Sequence, residues 1–223
     1  SAACGVFAPM GRGVREDGGY RISGRWPFAS GCEHSELRLG GFVVMDGGKP
    51  AMRQAIFRRD QTSVIDTWDT SGLRGTGSHD IAVEGAFVPD AWTLSLVDDR
   101  PREEGIVYRV PVFGLLALGV SAVSLGIARA SIDALVALAA TRRSMGGKRT
   151  LAERELVQVD VASAEASLRA ARALVHETLD EVQDGIARTG AMSTAARASL
   201  RLAATFATES ATRAVDLVHR CAG

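Results

Sequence analysis

Short apolar runs separated by turns fill the first half of the chain, and long apolar stripes of helical period fill the second. Turn signals at Asp17-Gly18-Gly19 and Asp46-Gly47-Gly48 set off the runs Tyr20–Ser23, Leu37–Val44, Ala51–Phe57 and Ser63–Trp68. Ile81, Val83, Gly85 and Phe87 then alternate with other residues before Val88-Pro89 ends the stretch. Short strands joined by short loops predict an antiparallel sheet or flattened barrel.

Beyond residue 110 the spacing predicts three helices. The first runs from about Val112 to Arg142 and stops at Gly146-Gly147. The second begins near Thr150, which stands three residues before Glu153 as in a capping box, and carries Val161, Leu168, Val175 and Val182 at sevenfold spacing, flanked by Val157 and Ile186. The third follows Ser193, with Leu200, Ala204, Ala207, Ala211, Ala214 and Val218 in a four-three rhythm. Its alanine-rich stripe calls for a close neighbour. The fold class is therefore α+β with segregated elements: an antiparallel β-domain at 1–110, then a C-terminal up-down helical bundle at 111–223, incomplete at its end.

Composition sharpens the boundary. All three Trp and all six Pro lie at or before Pro111, with 16 of the 24 Gly. Lys plus Arg and Asp plus Glu number 26 each, which leaves no global field to recruit nucleic acid or an anionic membrane. Three dispersed cysteines, Cys4, Cys32 and Cys221, suggest a reducing cytoplasm rather than a disulfide framework. Val110 to Ala128 holds no charge over 19 residues, long enough to span a membrane. Its continuation into Arg129 and Asp133 on one helical pattern points instead to a helix buried on all sides of a bundle.

The candidate chemistry sits mainly in the first half. In Gly24-Arg25-Trp26-Pro27-Phe28-Ala29-Ser30-Gly31, an extended chain turns Trp26, Phe28 and Ser30 to one side. Such a row either fills a core or offers flat faces and a hydroxyl to a planar ligand. Gly72-Leu73-Arg74-Gly75-Thr76-Gly77-Ser78 precedes a strand, so it lacks the setting of a dinucleotide loop and suits a tight turn whose amides, with Arg74, could face a ligand edge. Cys32 and His34 have no second pair at metal-ligand spacing, and no serine has a nucleophile-elbow context. Arg142-Arg143 either complements a helix dipole or clamps a phosphate.

The chain resembles the acyl-CoA dehydrogenase superfamily, and more closely the oxygenase components of two-component flavin-dependent monooxygenases of the hydroxyphenylacetate-hydroxylase type. The likeness is carried by residues 19–31, by Trp68-Asp69-Thr70-Ser71-Gly72-Leu73-Arg74-Gly75-Thr76-Gly77-Ser78-His79-Asp80, by Phe87-Val88-Pro89 and by the three helices. It implies a flavin with Phe28 and Ser30 beside the isoalloxazine ring, the Ser30 hydroxyl serving as a donor near N5, and Trp26 supporting that wall. The loop from Trp68 to Ser78, with Arg74, would cover the ring, and Arg142 or Arg143 would reach flavin phosphate.

Residues that FAD-binding dehydrogenases place near Gly146-Gly147 are missing. The expected cofactor is therefore reduced FMN from a partner flavin reductase, with FAD as the alternative. One branch of the superfamily has its catalytic glutamate early in the first of these helices, where this chain has Leu115-Leu116-Ala117-Leu118. Relatives carry an N-terminal helical domain and a closing segment that have no counterpart here. The resemblance thus implies a cytoplasmic homo-oligomer, dimer or tetramer, hydroxylating an aromatic or similar small molecule. The alternatives are an FAD-dependent acyl-CoA dehydrogenase and a non-catalytic fragment or scaffold of the same fold.

Overall fold

Trp26 explains much of the first unit. Its ring is fully buried, its Nε1–H donates to the Gly41 carbonyl at 2.7 Å, and it lies tilted against Phe57 at 5.6 Å. A Cβ added at Gly11, Gly24 or Gly40 would come within 2.5, 2.8 or 2.7 Å of the indole. Glycine is required at those three strand positions because a large ring lies across the backbone there.

The computed structural model describes residues 2–143 and 148–222. It divides into two compact units, residues 1–100 and 101–223. The strands of the first are β1 Ala3–Glu16, β2 Gly19–Trp26, β3 Leu37–Asp46, β4 Lys49–Arg58, β5 Ser63–Ile65, β6 Asp80–Pro89 and β7 Thr93–Leu94. They form one sheet in the order β5-β6-β2-β1-β3-β4-β7. Every pairing is antiparallel except β1 with β3, so the sheet is mixed rather than wholly antiparallel.

The parallel pair follows from residues 27–36, which carry the chain from the end of β2 past β1 to the start of β3. β1 itself escapes the alternation rule. Gly5, Pro9, Gly11 and Gly13 interrupt it, and a register shift between Val6 and Gly11 leaves Pro9 without a ladder partner. β5 ends at Ile65, short of the run to Trp68. Buried Ile22, Phe42, Phe57, Ile81 and Val88 complete this core with Trp26.

The second unit holds α1 Val112–Thr141, α2 Glu155–Thr189 and α3 Thr194–Ala222. Glu153 accepts from Thr150 N at 2.5 Å and from its hydroxyl at 2.9 Å, capping a short turn just ahead of α2. Gly190, at φ 77°, closes α2 in the left-handed conformation. Ser193 Oγ accepts from Ala196 N at 3.1 Å and caps α3. The expected stop at Gly146-Gly147 lies outside the described residues.

α3 packs against both other helices, while α1 and α2 meet less extensively. Its buried stripe is Leu200, Ala203, Ala204, Ala207, Ala211, Ala214 and Val218. The expectation that α1 is buried on all sides does not hold within this chain. α3 covers only the side with Ser121, Ala128, Ile132 and Leu135, while Phe113, Leu116, Val120, Val123 and Ile127 are exposed. α1 is long and apolar enough to cross a membrane by length and composition.

Candidate functional site

β2 ends at Trp26, and the chain turns before Phe28. Phe28 adopts φ 61°, a left-handed conformation unusual for a side chain of its size. The three residues therefore do not form one row: Trp26 points into the core, while Phe28 is 69% exposed and Ser30 is also exposed. Backbone strain of this kind persists where the surroundings enforce it. Here the turn is pinned by Ala29 N donating to His79 O at 3.0 Å and Gly31 N donating to Thr76 O at 2.8 Å.

The anchoring strand entrance is itself braced. His79 Nδ1 accepts from the backbone N–H groups of Thr67 and Trp68 at 3.1 and 3.2 Å, which holds the Trp68 loop beside the Phe28 turn. An oxygen of Asp66 is also 3.1 Å from Nδ1, but that carboxylate is 95% exposed and solvent screens it. Trp68 donates from Nε1 to Leu73 O at 3.0 Å and meets Phe28 edge-on, with centroids 6.1 Å apart. Asp80 bonds Arg25 at 2.6 Å and the Thr67 hydroxyl at 2.9 Å. The Arg25 guanidinium, and then Thr67, hold its carboxyl below the usual carboxylate range.

A hydroxyl cluster lies beneath this ledge. Ser30 Oγ is 2.7 Å from Ser78 Oγ, which is 2.7 Å from Thr76 Oγ1, and Ser78 is buried. Ser78 and Thr76 were not singled out from the sequence, although both lie in the glycine-rich stretch. The signal was their spacing two residues apart just ahead of a strand. In that loop the amides of Thr76 and Gly77 are taken up by the carbonyls of Leu73 and Arg74, so neither faces outward. Arg74 is exposed, and its side chain makes no hydrogen bond or ion pair among the described residues. Cys32 is buried beside the turn, its thiol directed at Gly77 O at 3.5 Å and pushed up by burial.

Arg142 and Arg143 belong to the second unit, where both are exposed at the end of α1. Arg142 O accepts from Leu151 N at 2.9 Å, and Arg143 pairs with Thr150 in an isolated bridge. Among the described residues neither guanidinium makes a hydrogen bond or ion pair, although the Arg143 charge helps to hold the Glu153 carboxyl down, after the hydrogen bonds from Thr150.

Residues 118–223 match the family model described as the acyl-CoA dehydrogenase C-terminal domain. The whole chain superposes with TM-score 0.86 on XiaF from Streptomyces sp., solved with FADH2 and glycerol, at 26% identity over 99% of this chain and 58% of that one. Residues 118–223 thus carry the acyl-CoA dehydrogenase C-terminal domain, and the fold of the chain is that of XiaF. Among curated proteins, the chain is 38% identical over 185 residues to the indole-3-acetate monooxygenase of Pseudomonas putida, covering 82% of this chain and 47% of that protein. It is 36% identical over 138 residues to the flavin-dependent monooxygenase oxygenase subunit HsaA of Rhodococcus jostii, covering 58% and 36% respectively. The chain thus spans about half the length, or less, of these curated relatives.

A flavin such as the one XiaF holds can be set against the ledge in atomic terms. Phe28 and Trp68 offer aromatic surface on the solvent side, and Ser30 offers one polar atom between them and the turn. A flat heteroaromatic ring with polar edges fits that donor set. Trp26 has no free face to offer.

Proposed function

We propose that this chain is the flavin-facing part of a monooxygenase oxygenase component that accepts reduced flavin from a reductase and hydroxylates an aromatic or similarly flat small molecule. The exposed, strained Phe28 beside the Ser30 hydroxyl carries the reading. A side chain of that size, held outward in a costly conformation, stands ready for a partner surface. The names of the curated relatives and the FADH2 held by XiaF support it.

In this scheme the flavin, when bound, supplies the reducing electrons and the site at which dioxygen is activated. Phe28 covers one side of the ring and keeps water from it. Trp68, fixed by Leu73 and His79, buttresses Phe28. Ser30 holds a polar edge of the ring in register. Arg74 is proposed with the loop that covers the ring, and Arg142 or Arg143 is proposed to reach flavin phosphate, where a forked cation matches phosphate oxygens. The β-unit and the helical unit are proposed as domains with their boundary near residue 110. Assembly into a homo-oligomer and a cytoplasmic location belong to the same proposal. The absence of an acid at Leu115-Leu116-Ala117-Leu118 speaks against proton abstraction by a residue there.

The test is anaerobic titration of the full-length protein with reduced FMN and reduced FAD, followed by mixing with oxygen and substrate. Binding of one reduced flavin and transfer of one oxygen atom are expected. A protein that binds neither flavin in either redox state is not this enzyme. Ser30→Ala should raise the share of reductant lost as hydrogen peroxide by severalfold, and an unchanged coupling ratio would remove Ser30 from the site.

A further inference from the structure

The end of the helical unit where α1 and α3 begin carries an unbalanced charge. No Asp or Glu occurs in residues 105–128 or 185–208, although the whole chain has as many acids as bases. Those two stretches hold Arg109, Arg188, Arg197 and Arg201. Arg109 donates to the Gly190 carbonyl at 3.4 Å. Arg197 and Arg201 stand one turn apart on α3, both exposed, and among the described residues neither guanidinium makes a hydrogen bond or ion pair. Glu209, the next acid along α3, faces Arg213 instead, at 3.9 Å. Like charges four residues apart on a helix repel each other, so the helix by itself gives no reason to set them side by side.

The two arginines border a cleft of about 170 Å³ that is otherwise apolar. Its floor is closed: Leu200 and Met192 are buried, and Gly114 lets α1 lie so near that an added Cβ would stand 3.0 Å from Leu200. Ala117 and Phe113, the latter 52% exposed, line its α1 side. We propose that this cleft binds a small carboxylate with a flat apolar body, of the benzoate class. The ring lies against Phe113, Ala117 and Leu200, and the carboxylate takes forked donors from Arg197 and Arg201. An anion there also relieves the repulsion between the two guanidinium groups. Drug-sized ligands fill roughly 300–1,000 Å³, so this smaller space limits the body to little more than one ring. Inorganic phosphate would satisfy the arginines and leave the apolar floor uncovered. The site lies wholly in the helical unit and needs no flavin.

Isothermal titration calorimetry of the full-length protein with benzoate, benzamide, acetate and inorganic phosphate separates charge from ring. Benzoate should bind about tenfold tighter than benzamide, which keeps the ring and loses the charge. It should exceed acetate, which keeps the charge and loses the ring, by at least about tenfold. Arg197→Gln and Arg201→Gln should each weaken benzoate about tenfold, and both should leave the Kd for reduced flavin at its wild-type value. Arg201→Lys, which keeps a charge without the fork, should fall between wild type and Arg201→Gln. Ala117→Leu should fill the space for the ring and remove the preference for benzoate over acetate.

Wild-type protein that binds benzoate no better than benzamide, acetate or phosphate overturns the proposal. So does benzoate binding at the wild-type Kd when Arg197→Gln and Arg201→Gln are combined, because the ligand is then held elsewhere. Both arginines are exposed, so these variants remain decisive if Ala117→Leu does not fold. A protein that binds no flavin yet shows the expected benzoate pattern sinks the flavin reading and leaves the cleft standing.

Discussion

Alanine replacements at Trp26 and Phe28, made one at a time, should separate folding from ligand binding. Trp26 is fully buried and wedged against strand glycines. Removing such a side chain costs about 3–5 kcal/mol through lost transfer energy and the cavity left behind. The Gly41 carbonyl also loses the indole N–H, for about 1 kcal/mol more. Against a total stability of about 5–15 kcal/mol, that is a large share. With a urea slope of about 2 kcal/mol/M, a loss of 4 kcal/mol lowers the midpoint by about 2 M.

Phe28 is 69% exposed, and its contact within the unit is the edge-on approach to Trp68. That contact is worth about 0.5–1.5 kcal/mol, and the left-handed backbone is no easier for alanine. Phe28→Ala should therefore cost about 1 kcal/mol of stability at most, while flavin affinity falls about tenfold. Urea unfolding followed by far-UV circular dichroism, alongside anaerobic flavin titration, reads both quantities. A Trp26→Ala midpoint within about 0.5 M of wild type, or a larger loss of stability in Phe28→Ala, would refute the division of roles.

The Asp80 carboxyl, held down by Arg25, makes the folded state bind fewer protons than the unfolded chain at acid pH. Its contribution is complete above the unfolded value of about 3.9 and is lost as pH falls through the lower folded value. Arg25 is 56% exposed, so the amount is under about 1 kcal/mol. A plot of urea midpoint against pH should lose part of its acid limb in Asp80→Asn, and superimposable limbs would discount the pair. In the helical unit, Ala207 is fully buried in the α3 stripe. Ala207→Leu should cost about 1–3 kcal/mol by overpacking, measured by thermal melting, and a neutral result would mean that the facing helices can move apart.

The helices were largely legible because their signals are local. Ser193 and Gly190 cap the ends of α3 and α2, and the four-three rhythm of Leu200 to Val218 coincides with the buried stripe. β1 was not legible. Its glycines look like breaks until the Trp26 and Phe42 rings that lie over Gly11 and Gly13 are in place. The candidate site was legible as a set of stretches but not as an arrangement. Phe28 and Ser30 are exposed after β2, yet Trp26 turns into the core because the strand ends at Trp26, short of the extended run to Ser30 that one row requires.

By itself, then, the sequence determined the division into sheet and helix, five of the seven strands in outline, three helices, and the stretches that carry the chemistry. These depend on side-chain period and on cap and turn residues, which act over a few neighbours. Only tertiary structure decided that β3 runs parallel to β1, that α1 has one covered side, and that Ser30 meets Ser78. Those outcomes join residues far apart along the chain.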